Sequence, residues 1–264
     1  MATAAVASAS HPWTSIDVAA TLGGLPFQEK DFILSSDTYN GLLPIEKQVR
    51  LQDSHASHIK ALIAIINKHG MADFFGIHSL HRYDSIPEKT NRATPITDQL
   101  LAQQTHVTLL KVQGTGLVPL EFAESPSPIK ADAIPMQFMV DMLKYLSEND
   151  LTNLIAIDVG DFTKAGAAGG AHRTAELEVV WGTQERLTVV LPLDRMVEGA
   201  SNPVPTGWNA QNYNADADPP AGEHWNEAKK SDGSITHKVH VDSTSPLTPQ
   251  GLILALTIAG FCKA

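Results

Sequence analysis

Apolar positions set the first element. Ile45, Val49, Ile59, Ile63 and Ile66 recur at helical spacing and mark the buried stripe of a long helix predicted over 44–68. Pro44 suits its first turn, and Gly70 follows as a stop. His55 precedes Ile59 by four residues and is expected within the stripe, with His58 on its flank beside Leu51 and Leu62. The period then drops to two. In a strand predicted over 75–83, Ile77, Ser79, His81 and Tyr83 share one face, while His78, Leu80 and Arg82 share the other.

Beyond it the pattern predicts a short helix over 97–103 and strands over 105–112 and 117–123. A Pro-rich connection over 125–135 leads to an amphipathic helix over 136–147, with Met139, Met142, Leu143 and Leu146 inward. A buried strand is expected over 154–159. The runs 175–181 and 187–191, separated by Gly182-Thr183-Gln184-Glu185, read as a hairpin. Regularity dissolves over 198–234, where Val204 is the sole Val, Leu, Ile or Met. A strand over 235–241 and a terminal helix follow, the helix capped by Thr248 with Pro249 at its first position. Residues 1–43 read as irregular. No internal repeat and no dividing linker is evident. The expected fold is therefore one mixed α+β domain over 1–264. It has an antiparallel-rich sheet, a long helix in the N-terminal half, a second central helix and a C-terminal helix.

Composition narrows the classes of function. The chain has 264 residues, 43% of them hydrophobic and 18% charged, which marks a globular chain able to bury a core. Its formal charge is −10 and it has no Lys/Arg run, so nucleic acid and anionic membranes are not its expected partners. Cys262 is the single cysteine, which excludes an intrachain disulfide and a thiolate metal cluster. The first residues, MATAAVASASHPW, lack the basic and apolar regions of a secretory signal, and no apolar run approaches about 20 residues. A cytoplasmic location is the expectation.

Histidine is the residue type that suggests chemistry. Six of the eleven stand in three His-x-x-His pairs: His55/His58, His78/His81 and His237/His240. Imidazole is the commonest metal ligand and exchanges protons near neutral pH. On a helix, positions three apart lie on one side and can converge; on a strand they point to opposite faces. His55/His58 is therefore expected to meet one ligand together, and the two strand pairs to divide. His240-Val-Asp242 places two metal-ligand types on one strand face, two-thirds of a 2-His-1-carboxylate set. The order of later residues differs from that of 2-oxoglutarate oxygenases, because neither histidine nor arginine follows Asp242.

Two other segments contribute candidates. The long loop over 198–234 carries Trp208, Tyr213, His224 and Trp225, as a lid over an organic substrate would. Asp158-Val-Gly-Asp161 ends the buried strand and leads to a glycine-rich turn with Arg173, suited to a carboxylate or phosphate. No P-loop, Rossmann fingerprint, G-x-S-x-G or H-E-x-x-H is present, so no nucleotide cofactor is expected.

The leading expectation is a small-molecule enzyme with a histidine-lined pocket that uses a divalent metal, Zn²⁺ or non-haem Fe²⁺. His78, His81, His237, His240 and Asp242 are the expected ligands. His55, His58, Asp158 and Asp161 are the expected catalytic groups, and Arg173, Trp208, His224 and Trp225 the substrate-binding ones. A metal-free isomerase, cyclase or lyase is the first alternative, using His and Asp as acid and base. A non-enzymatic small-ligand-binding protein is the second.

Overall fold

Apolar stripes of period 3.6 and runs of period two sort the chain into helices and strands. The computed structural model describes residues 37–47, 50–82, 106–114, 116–123, 127–165, 174–182, 185–198, 201–211, 213, 216, 224–229, 235–236, 238–244 and 246–263. In chain order the main elements begin with α1 (Ala56–Lys68), β1 (Phe75–Ser79), β2 (His106–Gln113), β3 (Gly116–Ala123), α2 (Met136–Glu148) and β4 (Ile155–Val159). There follow β5 (Thr174–Trp181), β6 (Glu185–Pro192), β7 (Ser201–Pro205), β8 (Gly207–Asn209), β9 (His224–Lys229), β10 (Ile235–Thr236), β11 (Lys238–Val241) and α3 (Pro249–Ile258). The fold is mixed α+β.

The first sheet is antiparallel throughout, in the order β3-β2-β4-β1-β8. Helices α1 and α2 cover one of its faces. Ile59, Leu62, Ile63 and Ile66 from α1, and Phe138, Met139, Met142, Leu143 and Leu146 from α2, close over Phe75, Ile77, Ile155, Ile157, Val159 and Trp208. In the second sheet β5 runs antiparallel to β6 and parallel to β9 and β11, and β9 also pairs with β7 and β10. Leu252 and Leu256 of α3 pack with Ala175, Leu177, Val179 and Val239. Thr248 caps α3 as expected, accepting the Gly251 N–H at 3.1 Å.

Several expectations need correction. The long helix over 44–68 is broken: a 3₁₀ turn covers Ile45–Lys47, a short turn covers Leu51–Ser54, and His55 stands outside helical geometry at φ −127, ψ 19. The polar run Gln52-Asp53-Ser54 precedes that break, and short side chains there offer the backbone other partners; Ser54 Oγ donates to Arg50 O at 3.4 Å. The structureless loop expected over 198–234 contains β7, β8 and β9. Its prolines disguised a strand: Pro203 and Pro205 lie on β7, whose strand partner among the described residues is β9, and an edge tolerates residues without an N–H. The short helix expected over 97–103 lies outside the described residues.

A repeat invisible as sequence identity is plain in the backbone. Helices α1 and α2 are each 13 residues long and begin at 56 and 136, an offset of 80. The same offset maps β1 onto β4. Gly70 and Asp150, at the helix ends, both adopt positive φ (69 and 57). Met71 N donates to Ile66 O at 3.0 Å, and Leu151 N to Leu146 O at 2.8 Å. Phe74 N and Phe75 N both donate to Met71 O, as Leu154 N and Ile155 N do to Leu151 O. Buried residues correspond too: Ile59 with Met139, Leu62 with Met142, Ile63 with Leu143, Phe75 with Ile155, Ile77 with Ile157.

The two units face each other across a pseudo-two-fold axis. Strand pairing matches Ile77 to its own counterpart Ile157, with Phe75 opposite Val159 and Ser79 opposite Ile155. The bonds that extend the pair exchange likewise, Leu80 N to Leu154 O at 2.8 Å and Gly160 N to Phe74 O at 3.0 Å. The axis places Gly76 beside Asp158 and His78 beside Ala156.

Candidate functional site

Alternation along β1 and β4 decides what the second face of the first sheet presents. Phe75, Ile77, Ile155, Ile157 and Val159 belong to the helix-covered core, so Gly76, His78, Ala156 and Asp158 point away from it. Ala156 accordingly joins a separate apolar cluster with Leu42, Leu80, Leu109, Val118 and Leu120. Across the strands, His78 stands between Ala156 and Gly207, and Gly76 between Asp158 and Asn209. Directly paired residues share a face, so His78, Asp158 and Asn209 surround a floor of Gly76, Ala156 and Gly207. Asp158 is diagonal to His78, a spacing of about 7–8 Å between Cα atoms in antiparallel sheets.

Strand β1 ends at Ser79, and this changes the fate of the second histidine pair. The expected division of His78 and His81 to opposite faces does not occur, because alternation stops two residues before His81. The chain instead turns, with Leu80 N bonded to Leu154 O and Arg82 N to Leu43 O at 3.0 Å. The two rings come together: their centroids are 5.4 Å apart, with ring planes inclined by 33°. Both are buried, at 8% and 6% exposure. His78 Nδ1 lies 2.9 Å from Ser79 O, and His81 Nδ1 lies 2.8 Å from the same oxygen. A carbonyl can only accept, so each Nδ1 carries the hydrogen. In a neutral ring the lone pair then belongs to Nε2. Thr206 lies at the same end of the sheet, where its carbonyl accepts the Ser79 N–H at 2.6 Å. Its hydroxyl is buried with no hydrogen-bond partner among the described residues.

The His55 and His58 rings stand near each other, but His55 precedes α1 and does not sit within a continuous helical stripe. The His55 and His58 rings are 5.9 Å apart. His55 Nδ1 lies 2.6 Å from Ser54 Oγ, and His58 Nδ1 lies 2.9 Å from Tyr145 Oη on α2. Both rings are half-buried.

The remaining candidates scatter. His240 and Asp242 are exposed on and just after β11, in the second sheet and apart from the strand carrying His78. Asp161 is exposed, and it accepts the Thr163 N–H at 3.2 Å and the Thr163 hydroxyl at the start of a 3₁₀ turn over Phe162–Ala165. Trp208 is not a lid residue: it is 2% exposed within the helix-covered core, because β8 pairs with β1 and turns the indole inward. His237 and Arg173 lie outside the described residues. For His224 and Trp225 the described feature is the backbone of β9. Among the described residues, no group of three or more His, Cys, Asp or Glu side chains is placed to hold a metal ion. No described helix is long and apolar enough to cross a membrane.

The sequence reading missed Gly76, Asn209 and Thr206. The signal that could have found the first was the offset of 80, which aligns Gly76-Ile77-His78 with Ala156-Ile157-Asp158 and so marks one strand face as small–polar twice. Asn209 and Thr206 had no such signal, since the pairing of β8 with β1 joins segments far apart in sequence.

One electrostatic cluster lies elsewhere. Asp141 on α2 accepts from Lys68 Nζ at 2.8 Å, His69 Nε2 at 2.9 Å and Gln137 Nε2 at 2.7 Å. The Lys68 hydrogen bond, then those of His69 and Gln137, hold its carboxyl well below the usual carboxylate range. A depressed folded-state value contributes stability above the unfolded value, near 4, that is lost as pH falls through the folded one. Lys68 is 66% exposed, so the ion pair is screened. Asp141→Asn is expected to cost about 1 kcal/mol at neutral pH and to flatten the loss of stability below about pH 4. Urea midpoints measured across acid pH check both; parallel curves for the two proteins would refute it. Burial also lowers the Lys111 ammonium and raises the Cys262 thiol, which favours an inert, protonated sulfur.

Comparison with protein-family models, curated proteins and solved structures gives no match.

Proposed function

We propose that the protein is a small-molecule enzyme whose proton-transferring centre is the His78–His81 pair. The observation that supports this reading is the sharing of Ser79 O: one carbonyl fixes two buried imidazoles in the tautomer that leaves the lone pair on Nε2. Two buried imidazoles with ring centres 5.4 Å apart suit an isomerase or lyase, where one ring removes a proton and the other returns it. The substrate is a compact organic molecule that meets the two rings beside the floor of Gly76, Ala156 and Gly207, where Ala156 itself is packed by apolar side chains. Asp158 and Asn209 stand on either side of that floor to orient its polar groups. Leu80, Leu109 and Leu120 supply the apolar surroundings that such a site needs.

Proton removal from carbon is read directly by isotope exchange. Pools of small carbonyl compounds incubated with the protein in D₂O are expected to take up deuterium, measured by mass spectrometry. His78→Gln and His81→Gln should each slow that uptake about 100-fold or more, while His240→Gln leaves it unchanged. Uptake that survives in both dyad variants, or none with the native protein, defeats the reading.

A further inference from the structure

Among the described residues, Lys111 is the one lysine or arginine that is buried, at 7% exposure. Alternation along β2 sets its direction. Leu109, two positions earlier, and Val118, its partner on β3, both belong to the apolar cluster around Ala156. Val112 joins the helix-covered core instead. Lys111 therefore faces the side of the sheet that carries His78. Strand β2 pairs Leu109 with Asp158, so the next step of that register on this face sets Lys111 beside Ala156. Ala156 is paired in turn with His78. Two strand spacings, about 9.5 Å, separate the backbones of Lys111 and His78.

The lysine side chain runs toward the end of the sheet where the imidazoles lie. Its Nζ donates to Asn153 Oδ1 at 3.0 Å and to Val112 O at 3.3 Å. Asn153 precedes β4 at the end where Ser79 pairs with Ile155 and Leu80 N donates to Leu154 O. It is exposed, so Nζ lies directly under the surface. Both partners accept hydrogens. A neutral amine gives one of its two hydrogens to each and keeps its lone pair for a third direction. An ammonium would carry a third hydrogen with no acceptor among the described residues, and no carboxylate among them forms an ion pair with it. Burial without a counter-charge favours the neutral form and lowers the ammonium.

We propose that Lys111 Nζ is a nucleophile that condenses with the carbonyl group of a small aldehyde or ketone. This rests on the reading of His78–His81 as the proton-transferring centre and names its substrate class. The lone pair forms a C–N bond at the carbonyl carbon. The carbonyl oxygen leaves as water, taking one hydrogen from the amine and one proton from solvent, and an iminium remains. Its positive nitrogen draws electrons from the adjacent C–H bond, whose proton passes to an imidazole and leaves an enamine. Reprotonation and addition of water then release the product and restore the amine.

Formaldehyde, the smallest carbonyl compound, and propanal test this on the full native chain at neutral pH. Cyanoborohydride delivers hydride to each iminium that forms, and peptide mass spectrometry locates the alkylated lysines. An ordinary lysine keeps under about 0.1% of its amine neutral there, so Lys111 is expected to react about tenfold or more faster than the exposed Lys68 and Lys144. In Lys111→Met, which keeps a long unbranched side chain without the amine, deuterium uptake should fall about tenfold or more. Labelling no faster than at Lys68 and Lys144, or uptake held at the native level in Lys111→Met, overturns the proposal. The labelling arm needs no substitution and so does not depend on whether the variant folds. Failure here is separable from failure of the histidine reading. Slow labelling of Lys111 beside uptake that depends on His78 and His81 removes the lysine and keeps the histidines. Rapid labelling, with uptake lost in Lys111→Met and retained in both histidine variants, does the reverse.

Discussion

Replacing Trp208 with alanine is expected to destabilise the protein by about 3–5 kcal/mol, through lost apolar contact and an unfilled cavity. That is a large share of the roughly 5–15 kcal/mol by which domains are stable. The indole is 2% exposed and packs in the core shared by α1, α2 and the first sheet. It also anchors β8, a strand of three residues whose pairing with β1 is limited to Gly76–Asn209, Ile77–Trp208 and His78–Gly207. Losing the ring therefore threatens the edge that supplies Asn209. Trp208→Phe provides the internal control. Nε1 is buried with no hydrogen-bond partner among the described residues, so no bond is sacrificed. The smaller ring should cost only about 1–1.5 kcal/mol. Urea denaturation measures both; equal losses for the two variants would mean that ring volume is not what matters.

Gly76→Ala should be the second costly change, contrary to the usual effect of replacing glycine. Where the backbone permits, that exchange stabilises by about 0.4–1 kcal/mol by restricting the unfolded chain. At Gly76 a Cβ would stand 2.8 Å from Trp208 O and 3.4 Å from Asn209 Cβ. The backbone oxygen cannot swing aside, so β8 must move, at a net cost of about 1–3 kcal/mol. Hydrogen exchange should show early loss of protection in β1 and β8 while β2 and β3 stay protected. A protein more stable than the parent, with native exchange, would refute the close approach.

Much of the architecture was readable from periodicity, and the reasons for the failures are local. Helix α2 and strands β2, β3, β4, β5 and β6 follow their apolar patterns because each lays an apolar stripe or face on a core. Strands β7 and β8 escaped, since prolines and a lone valine give no alternation; β7 lies at an edge and β8 is held by one tryptophan. Of the candidate site, His78, His81 and Asp158 were legible as residue types, yet their grouping was not. The turn after Ser79 depends on hydrogen bonds to Leu43 and Leu154, which no local pattern near His81 records. Assigning His81 to a strand sent it to the wrong side of the sheet. His240 and Asp242 carried the sharpest local motif, but the structure exposes both and leaves the pair in the other sheet.

The helix–strand unit that occurs twice at an offset of 80 bears on how such a site could arise. Its two copies agree at many packed positions: Ile63 with Leu143, Met71 with Leu151, Ile77 with Ile157. They disagree at the position that faces away from the helices, where one copy carries His78 and the other Asp158. A duplicated module needs only one helix-facing stripe to remain folded. Its opposite face is released from that constraint in both copies, and a two-fold arrangement brings the released positions side by side. Divergence of a base in one copy and an acid in the other then requires no new scaffold, because symmetry has already made them neighbours.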